Sequence, residues 1–167
     1  MIVAFTGHRP DKLGGYKLPN PTYNYVCQEI EKALLELKPK KVISGMALGV
    51  DQWAANIACK LNIPFIAAVP FQGQERMWPP ASKSIYNKLL GRAEEVVIVC
   101  EGIYSPSKMQ IRNEWMVDRC DQLIAIWDGT KGGTGNCVAY ALDLGRPIYR
   151  INPLDKMVER SYSNIST

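Results

Sequence analysis

The chain has 167 residues, 47% of them apolar and 22% charged, with a net charge of +4. That is the composition of one ordinary soluble globular domain, long enough for a proper core. The basic residues are scattered, Lys40-Lys41 being the longest run. No stripe for nucleic acid is visible, and no apolar run approaches a membrane span.

Short β-branched runs alternate with amphipathic ones along the chain. Ile2–Thr6 reads as the first buried strand. Tyr23 to Leu37 follows as a helix, with Val26, Ile30, Ala33, Leu34 and Leu37 on one face. Lys41–Ser44 is the second strand, and the Ala-rich stretch Leu48 to Leu61 the second helix. Phe65–Val69 is the third strand, and Ser82 to Ala93 offers Ile85, Leu89 and Leu90 to a third helix. Glu95–Val99 is the fourth strand. Ser105 caps a helix with Pro106 at its first position, running toward Cys120. Leu123–Trp127, a helix from Thr134 to Leu144 stopped by Gly145, and Ile148–Ile151 complete the series. Residues 154–167 are polar and read as a loosely held C-terminal tail to a domain of residues 1–153.

Strand–helix alternation of this kind specifies an α/β domain: one doubly wound parallel sheet with helices on both faces. All strand ends then point to one edge, where ligands bind. The unusual loops fall there. TGHRP (Thr6 to Pro10), SGMALGVD (Ser44 to Asp51), PFQGQERMW (Pro70 to Trp78) and GTKGGTGN (Gly129 to Asn136) follow the first, second, third and fifth strands. Two of them run into helix N-termini, which present free N–H groups to an anion, most simply a phosphate. A Walker loop and a GxGxxG turn are both absent, so neither a P-loop ATPase nor an ordinary dinucleotide dehydrogenase is supported.

Five cysteines without CxxC spacing and a single histidine argue against a zinc site and a disulfide framework. Reduced thiols in a cytoplasmic protein are the simpler reading. The N-terminus MIVAFTGHRP has no basic or long apolar region of a signal peptide.

SGMALGVD resembles the SGxAxGID signature of the Smf-type DNA-processing branch of the SLOG superfamily. KGGTGN resembles the PGGxGTxxE loop of its Lonely Guy phosphoribohydrolase branch. MQIRNEWM carries that branch's Met-x-x-Arg…Met pattern at Met109, Arg112 and Met116. The opening TGHRP, with RNEWMVD and WDG further on, is most similar to the small stand-alone YpsA-like group. The resemblance runs to about Pro153. It implies a Rossmann-like sheet that binds a nucleotide or nucleotide-derived ligand; no metal and no resident cofactor are expected.

The resemblance and the loops together nominate a ligand site. From the first loop come Thr6, Gly7, His8 and Arg9. From the second come Ser44, Gly45, Met46, Ala47, Gly49 and Asp51. Phe71, Arg112, Asn113 and Asp128 follow, then Gly132, Gly133, Thr134, Gly135 and Asn136 of the glycine loop. His8 is a base, a ligand donor, or a turn residue packed under its loop. Arg9 and Arg112 clamp a phosphate bidentately or form ion pairs. Asp51 organises the loop or ligand, or caps its helix. Asn113 reads a base or ribose edge or caps a loop. Phe71, Trp78 and Tyr104 stack on a base or pack. Cys137, near a helix start, is a small buried residue rather than a nucleophile.

One departure from the hydrolase pattern stands out. Aligning Gly132, Gly133 and Gly135 puts Ala139 where the resemblance implies a catalytic glutamate, and Asn136 where it implies a threonine. Ala139 is expected to face the loop but carries no proton. Glu75, Asp51 or Asp128 would have to supply the acid instead. The expectation is therefore a homo-oligomeric binder of a nucleotide-like molecule: a sensor, carrier or sequestering protein for ligands of the kind used as signals in bacterial and phage conflict. A nucleotide hydrolase with a relocated acid is the alternative. Single-stranded DNA binding is weaker, for want of a basic groove.

Overall fold

The computed structural model describes residues 1–163. Six parallel strands carry the domain: β1 (Ile2–Gly7), β2 (Lys41–Ser44), β3 (Phe65–Phe71), β4 (Glu95–Cys100), β5 (Gln122–Ile126) and β6 (Ile148–Ile151). Between them run α1 (Pro21–Leu37), α2 (Val50–Lys60), α3 (Pro80–Leu90), α4 (Pro106–Arg119) and α5 (Gly133–Asp143). The order across the sheet is β4-β3-β2-β1-β5-β6, followed by a short β7 (Val158–Glu159).

The two-residue period of the strands decides the layers. Val3 and Phe5 pack with α1, α2 and α3 on one face. Ala4 between them packs with Met116, Val117, Cys137 and Val138 of α4 and α5 on the other. The steps from β1 to β4 all run one way with their helices on the first face. α4 then returns across the second face and places β5 on the far side of β1, as right-handed crossovers require. The loops leaving β1 and β5 therefore diverge to opposite faces. That divergence opens a crevice between two neighbouring strand ends.

Helix starts follow their local chemistry. Asn20 accepts from the Tyr23 N–H at 2.9 Å, with Pro21 in the first turn of α1. Ser105 stands before α4 as expected, but its hydroxyl pairs with Ser107 and caps nothing. The stretch from Leu154, read as a polar tail, returns along the sheet edge. Arg150 and Ile151 pair antiparallel with Glu159 and Val158. The connection of a few residues is too short for a parallel crossover. Tyr162 then sits edge-on to Trp127 at 5.9 Å, with the Arg150 guanidinium over both rings. Residues 164–167 of that stretch lie outside the described residues.

α2 begins unusually close to β1. Val50 N–H reaches the His8 carbonyl at 3.4 Å. Gly49 before it holds φ +94°, and a Cβ there would lie 2.7 Å from the same carbonyl. Only glycine fits both the dihedral and the approach. Gly49→Ala should therefore lower stability by roughly 1–3 kcal/mol through strain alone, read as a reduced urea midpoint with an unchanged m-value. An unaltered midpoint would show that the α2 start tolerates a side chain.

Candidate functional site

The loop Ser44–Asp51 is closed on itself by buried polar groups. Ser44 Oγ donates to the Asp51 carbonyl at 2.7 Å and accepts from Met46 N–H at 3.1 Å. Ala47 N–H donates to Asp51 Oδ2 at 3.2 Å, and Gln52 Nε2 donates to the Met46 carbonyl at 3.2 Å. Met46 is fully buried in the left-handed region at φ +61°. A non-glycine residue is held there because its neighbours over-determine the turn.

Arg112 reaches this loop from α4. Its Nη1 donates to the carbonyls of Gly45 and Ala68, and its Nε donates to Asn113 Oδ1 at 3.2 Å. A Cβ on Gly45 would fall within 2.5 Å of the guanidinium, so glycine is required for the approach. Burial penalises the charge of both Arg112 and Asp51. It pulls the arginine pKa down and pushes the aspartate pKa up, and the attraction between the two opposes each shift.

A second set of bonds joins the β1 and β5 loops. His8 Nε2 lies 3.1 Å from Asp128 N and 2.9 Å from Asp128 Oδ1. Burial lowers the His8 pKa against the opposing pull of Asp128. The neutral ring accepts from the Asp128 N–H. Burial alone would raise the Asp128 carboxyl, but the Thr130 hydroxyl and N–H, aided by His8 when its ring is protonated, bring it down to about 2. Lys12 Nζ completes the bridge by donating to Thr130 Oγ1 at 3.3 Å.

Two chambers open at the strand ends. The polar one, of about 310 Å³, is lined by Thr6, Gly7, Arg9, Asp11, Lys12, Ala47, Asp51, Met109, Arg112, Asn113, Gly133 and Thr134. It lies at the crevice where the β1 and β5 loops part. The other, of about 500 Å³, is lined by Phe71, Gln74, Arg76, Met77, Trp78, Ile103 and Tyr104, among others. Arg9, Ala47 and Met109 line both, so the two chambers lie side by side in one cleft region. A larger groove of about 640 Å³ runs along α1, α2 and α3. It meets the strand-end loops only at Pro10, Leu48 and Gly49, and Gly49 is the one nominated residue in it.

The nominated residues therefore divide. Thr6, Gly7, Arg9, Ala47, Asp51, Arg112, Asn113, Gly133 and Thr134 line the polar chamber, and Phe71 lines the aromatic one. His8, Ser44, Gly45, Met46, Asp128, Gly132, Gly135 and Asn136 line neither and build the loops instead. Arg112 is corrected from a bidentate clamp. Its Nε and Nη1 are engaged within the protein, leaving Nη2 for the chamber. Ala139 does not face the loop: it is exposed on α5 and lines neither chamber, as do not Glu75 and Asp128. Burial pushes the Cys137 thiol up to about 12, removing it as a nucleophile. Lys12 and Gln74 were missed. The signal for Lys12 was its place three residues after Arg9 in the same loop; Gln74 lay inside a loop already marked by its position. Among the described residues no cluster of His, Cys, Asp or Glu could hold a metal, and no helix is long and apolar enough to cross a membrane.

Comparison with known proteins places this geometry in context. The model of the YspA SLOG family matches residues 3–144. The SPbeta prophage-derived protein YoqJ of Bacillus subtilis is 36% identical over 158 residues, covering 81% of this chain and 92% of that protein. A UPF0398 protein of Bacillus pumilus is 30% identical, covering 80% and 76%. Among solved structures, DNA processing protein A from Streptococcus pneumoniae superposes with a TM-score of 0.67 at 21% identity, over 90% of this chain and 50% of that one. This chain thus spans half the length of that protein. The Helicobacter pylori DNA processing protein A, described by its single-stranded DNA binding mode, gives 0.68 at 19% identity, over 96% and 68%. A molybdenum cofactor binding protein from Rippkaea orientalis gives 0.57 at 19%, over 89% and 74%. At these identities the structural likeness is one of fold.

The His8 environment has a measurable consequence. Its pKa is lower in the folded chain than the ordinary imidazole value of 6.5. Below that value the unfolded chain takes up a proton that the folded chain refuses. Stability should therefore fall as pH drops from about 6.5 toward the lowered value. Urea unfolding at pH 7.5 and 5.5 should show this loss in the wild type and a smaller one in His8→Gln. Equal losses in both would mean that other groups carry the acid sensitivity.

Proposed function

The chain belongs to the YspA SLOG family, and from that premise we propose that the cleft binds a nucleotide or nucleotide-derived small molecule. One observation carries the reading: a chamber suited to a phosphate and a chamber suited to a flat ring share a wall at Arg9, Ala47 and Met109. The N-terminus of α5 faces the polar side through Gly133 and Thr134, with no side chain capping its free N–H groups. Arg9 makes no ion pair among the described residues, and Lys12 stands nearby on Thr130. An incoming phosphate would meet helix N–H groups and two cations, while the base enters between Phe71, Trp78 and Tyr104. The combined space suits a small ligand. The fold neighbour described as binding the molybdenum cofactor accords with a small-molecule role at this fold.

Hydrolysis is a second reading with one observation in its favour. Of the three acids that could replace the missing glutamate, Asp51 alone lines the cleft, and burial raises its pKa. Its Oδ2 is held by the N–H of Ala47, the residue at the junction of the chambers. Single-stranded DNA binding, named for one fold neighbour, is the weaker reading, because the Lys and Arg residues are scattered along the chain.

The two glycines of the α5 loop separate ligand contact from packing. A Cβ on Gly133 would meet no heavy atom within 4 Å, whereas one on Gly135 would press on the Thr130 carbonyl at 3.0 Å. Gly133→Val should fold normally and lose binding, measured by calorimetry against a panel of nucleoside mono- and diphosphates. Arg9→Ala should weaken binding by about 1.5–3 kcal/mol, the worth of a charged hydrogen bond. Wild-type affinity in both variants would remove the phosphate from this chamber. Chromatography of adenosine 5′-monophosphate incubated with wild type for hours should show no free base. Release of base that Asp51→Asn abolishes would establish the hydrolase reading in its place.

A further inference from the structure

We propose that the free edge of β4 is an interface between two copies of this chain, paired antiparallel about a two-fold axis through Val97. The two edges of the sheet differ. β7 closes the β6 edge, whereas among the described residues no strand pairs with the outer side of β4. An open edge offers backbone donors and acceptors to another strand, and proteins that stay apart blunt it with lysine, proline or a bulge. β4 reads EVVIVC, and its register against β3 runs from Glu95 to Cys100 without a bulge. The helical cover also stops one strand short. Ala67 and Val69 of β3 are buried, but Val96 and Ile98 beside them on β4 are 44% and 46% exposed. A strand of a parallel sheet is ordinarily covered on both faces.

Register and charge select a second copy as the occupant. Directly opposite residues of an antiparallel pair share a face, so β4 can meet itself only about a residue, Val97 or Ile98 being central. An axis through Ile98 would set Glu95 against the partner's Glu101, a like-charge pair. An axis through Val97 sets Val96 against the partner's Ile98 and Glu95 against the partner's Val99. Glu95 and Val97 lie on the α4 face, because Ile66 and Ala68 beside them pack there. On α4, Lys108, Trp115 and Arg119 recur at helical spacing on the flank away from α5, whose Tyr140 holds Asp118 on the other flank. Lys108 stands at the end of β4, donating to the Glu101 and Ile103 carbonyls. Arg119, stacked on Trp115 at 4.0 Å, stands where α4 has run back toward the start of β4. An antiparallel copy therefore brings Glu95 toward the partner's Lys108 and Glu101 toward the partner's Arg119. None of these four side chains makes an ion pair among the described residues. Anions on the strand and cations on the helix thus complement the same surface turned around, as a two-fold interface requires. The charges set register, and the ladder and the covered Val96 and Ile98 hold the pair.

Sedimentation velocity on the wild-type chain across the micromolar range should show a dimer. Ile98→Lys should keep the wild-type circular dichroism and raise the dissociation constant about tenfold or more, because it places a lysine in the paired edge. Under mild oxidation, Val97→Cys should give a cross-linked dimer on a non-reducing gel in higher yield than Ile98→Cys, since only residue 97 meets its own copy across the axis. A monomeric wild type overturns the proposal, as does an Ile98→Lys dimer as tight as wild type. Cross-linking that favours Ile98→Cys overturns the axis through Val97. If Ile98→Lys does not fold, the two cysteine variants decide. All of these readings are independent of what the cleft binds.

Discussion

The buried guanidinium of Arg112 is the point from which the rest of the cleft is arranged. It comes from the helix that carries the chain back across the sheet, and it ends on carbonyls beyond β2 and within β3. A cation withdrawn from water needs its donors satisfied and a compensating charge close by. The carbonyls of Gly45 and Ala68, the Asn113 amide and the nearby Asp51 carboxylate meet that requirement. Three separate segments are thereby tied to one group: the loop after β2, the strand β3 and the helix α4. Gly45 has no side chain because the guanidinium occupies that volume.

From this anchor the two chambers acquire different characters. The polar chamber lies where the chain reverses its direction across the sheet, and it is walled by small residues, charged side chains and the open end of α5. The aromatic chamber lies farther along the sheet, beneath the loops after β3 and β4, and its walls are large rings. Gln74 belongs to both arrangements. Its amide nitrogen shares the Gly45 carbonyl with Arg112, while its oxygen remains unpaired. The same carbonyl thus couples the cation network of one chamber to the wall of the other.

Family membership and fold likeness leave the chemistry to these local details. The same sheet supports proteins described by single-stranded DNA binding and by molybdenum cofactor binding, so the architecture specifies no ligand. In this chain the helix that a hydrolase resemblance would equip with an acid carries an exposed alanine, Ala139, facing neither chamber. The carboxylate that does reach the cleft, Asp51, comes from a different loop and is partly engaged in closing it. The latch of His8 on Asp128 shapes the mouth between β1 and β5 without touching the chambers.

The sequence by itself determined the elements, their order and the edge at which the loops gather. Each of the six parallel strands and five helices has its own periodicity and punctuation, and alternating strands and helices admit few ways of packing. It also placed Thr6, Gly7, Arg9 and Gly133 at one edge, where they line one chamber, because loops after parallel strands share an edge whatever their partners. Only the tertiary structure decided what each polar residue does there. Arg112 and Arg9 carry the same group, yet one is buried on carbonyls and the other is left without an ion pair among the described residues, a difference set by segments far away in sequence. Gly133 and Gly135 stand two residues apart in one loop, yet one has open space beside it and the other the Thr130 carbonyl. The return of β7 beside β6 was equally hidden, since a two-residue strand has no periodicity to read. Burial and hydrogen-bond partnership are properties of surroundings, and the surroundings exist only once the chain has folded.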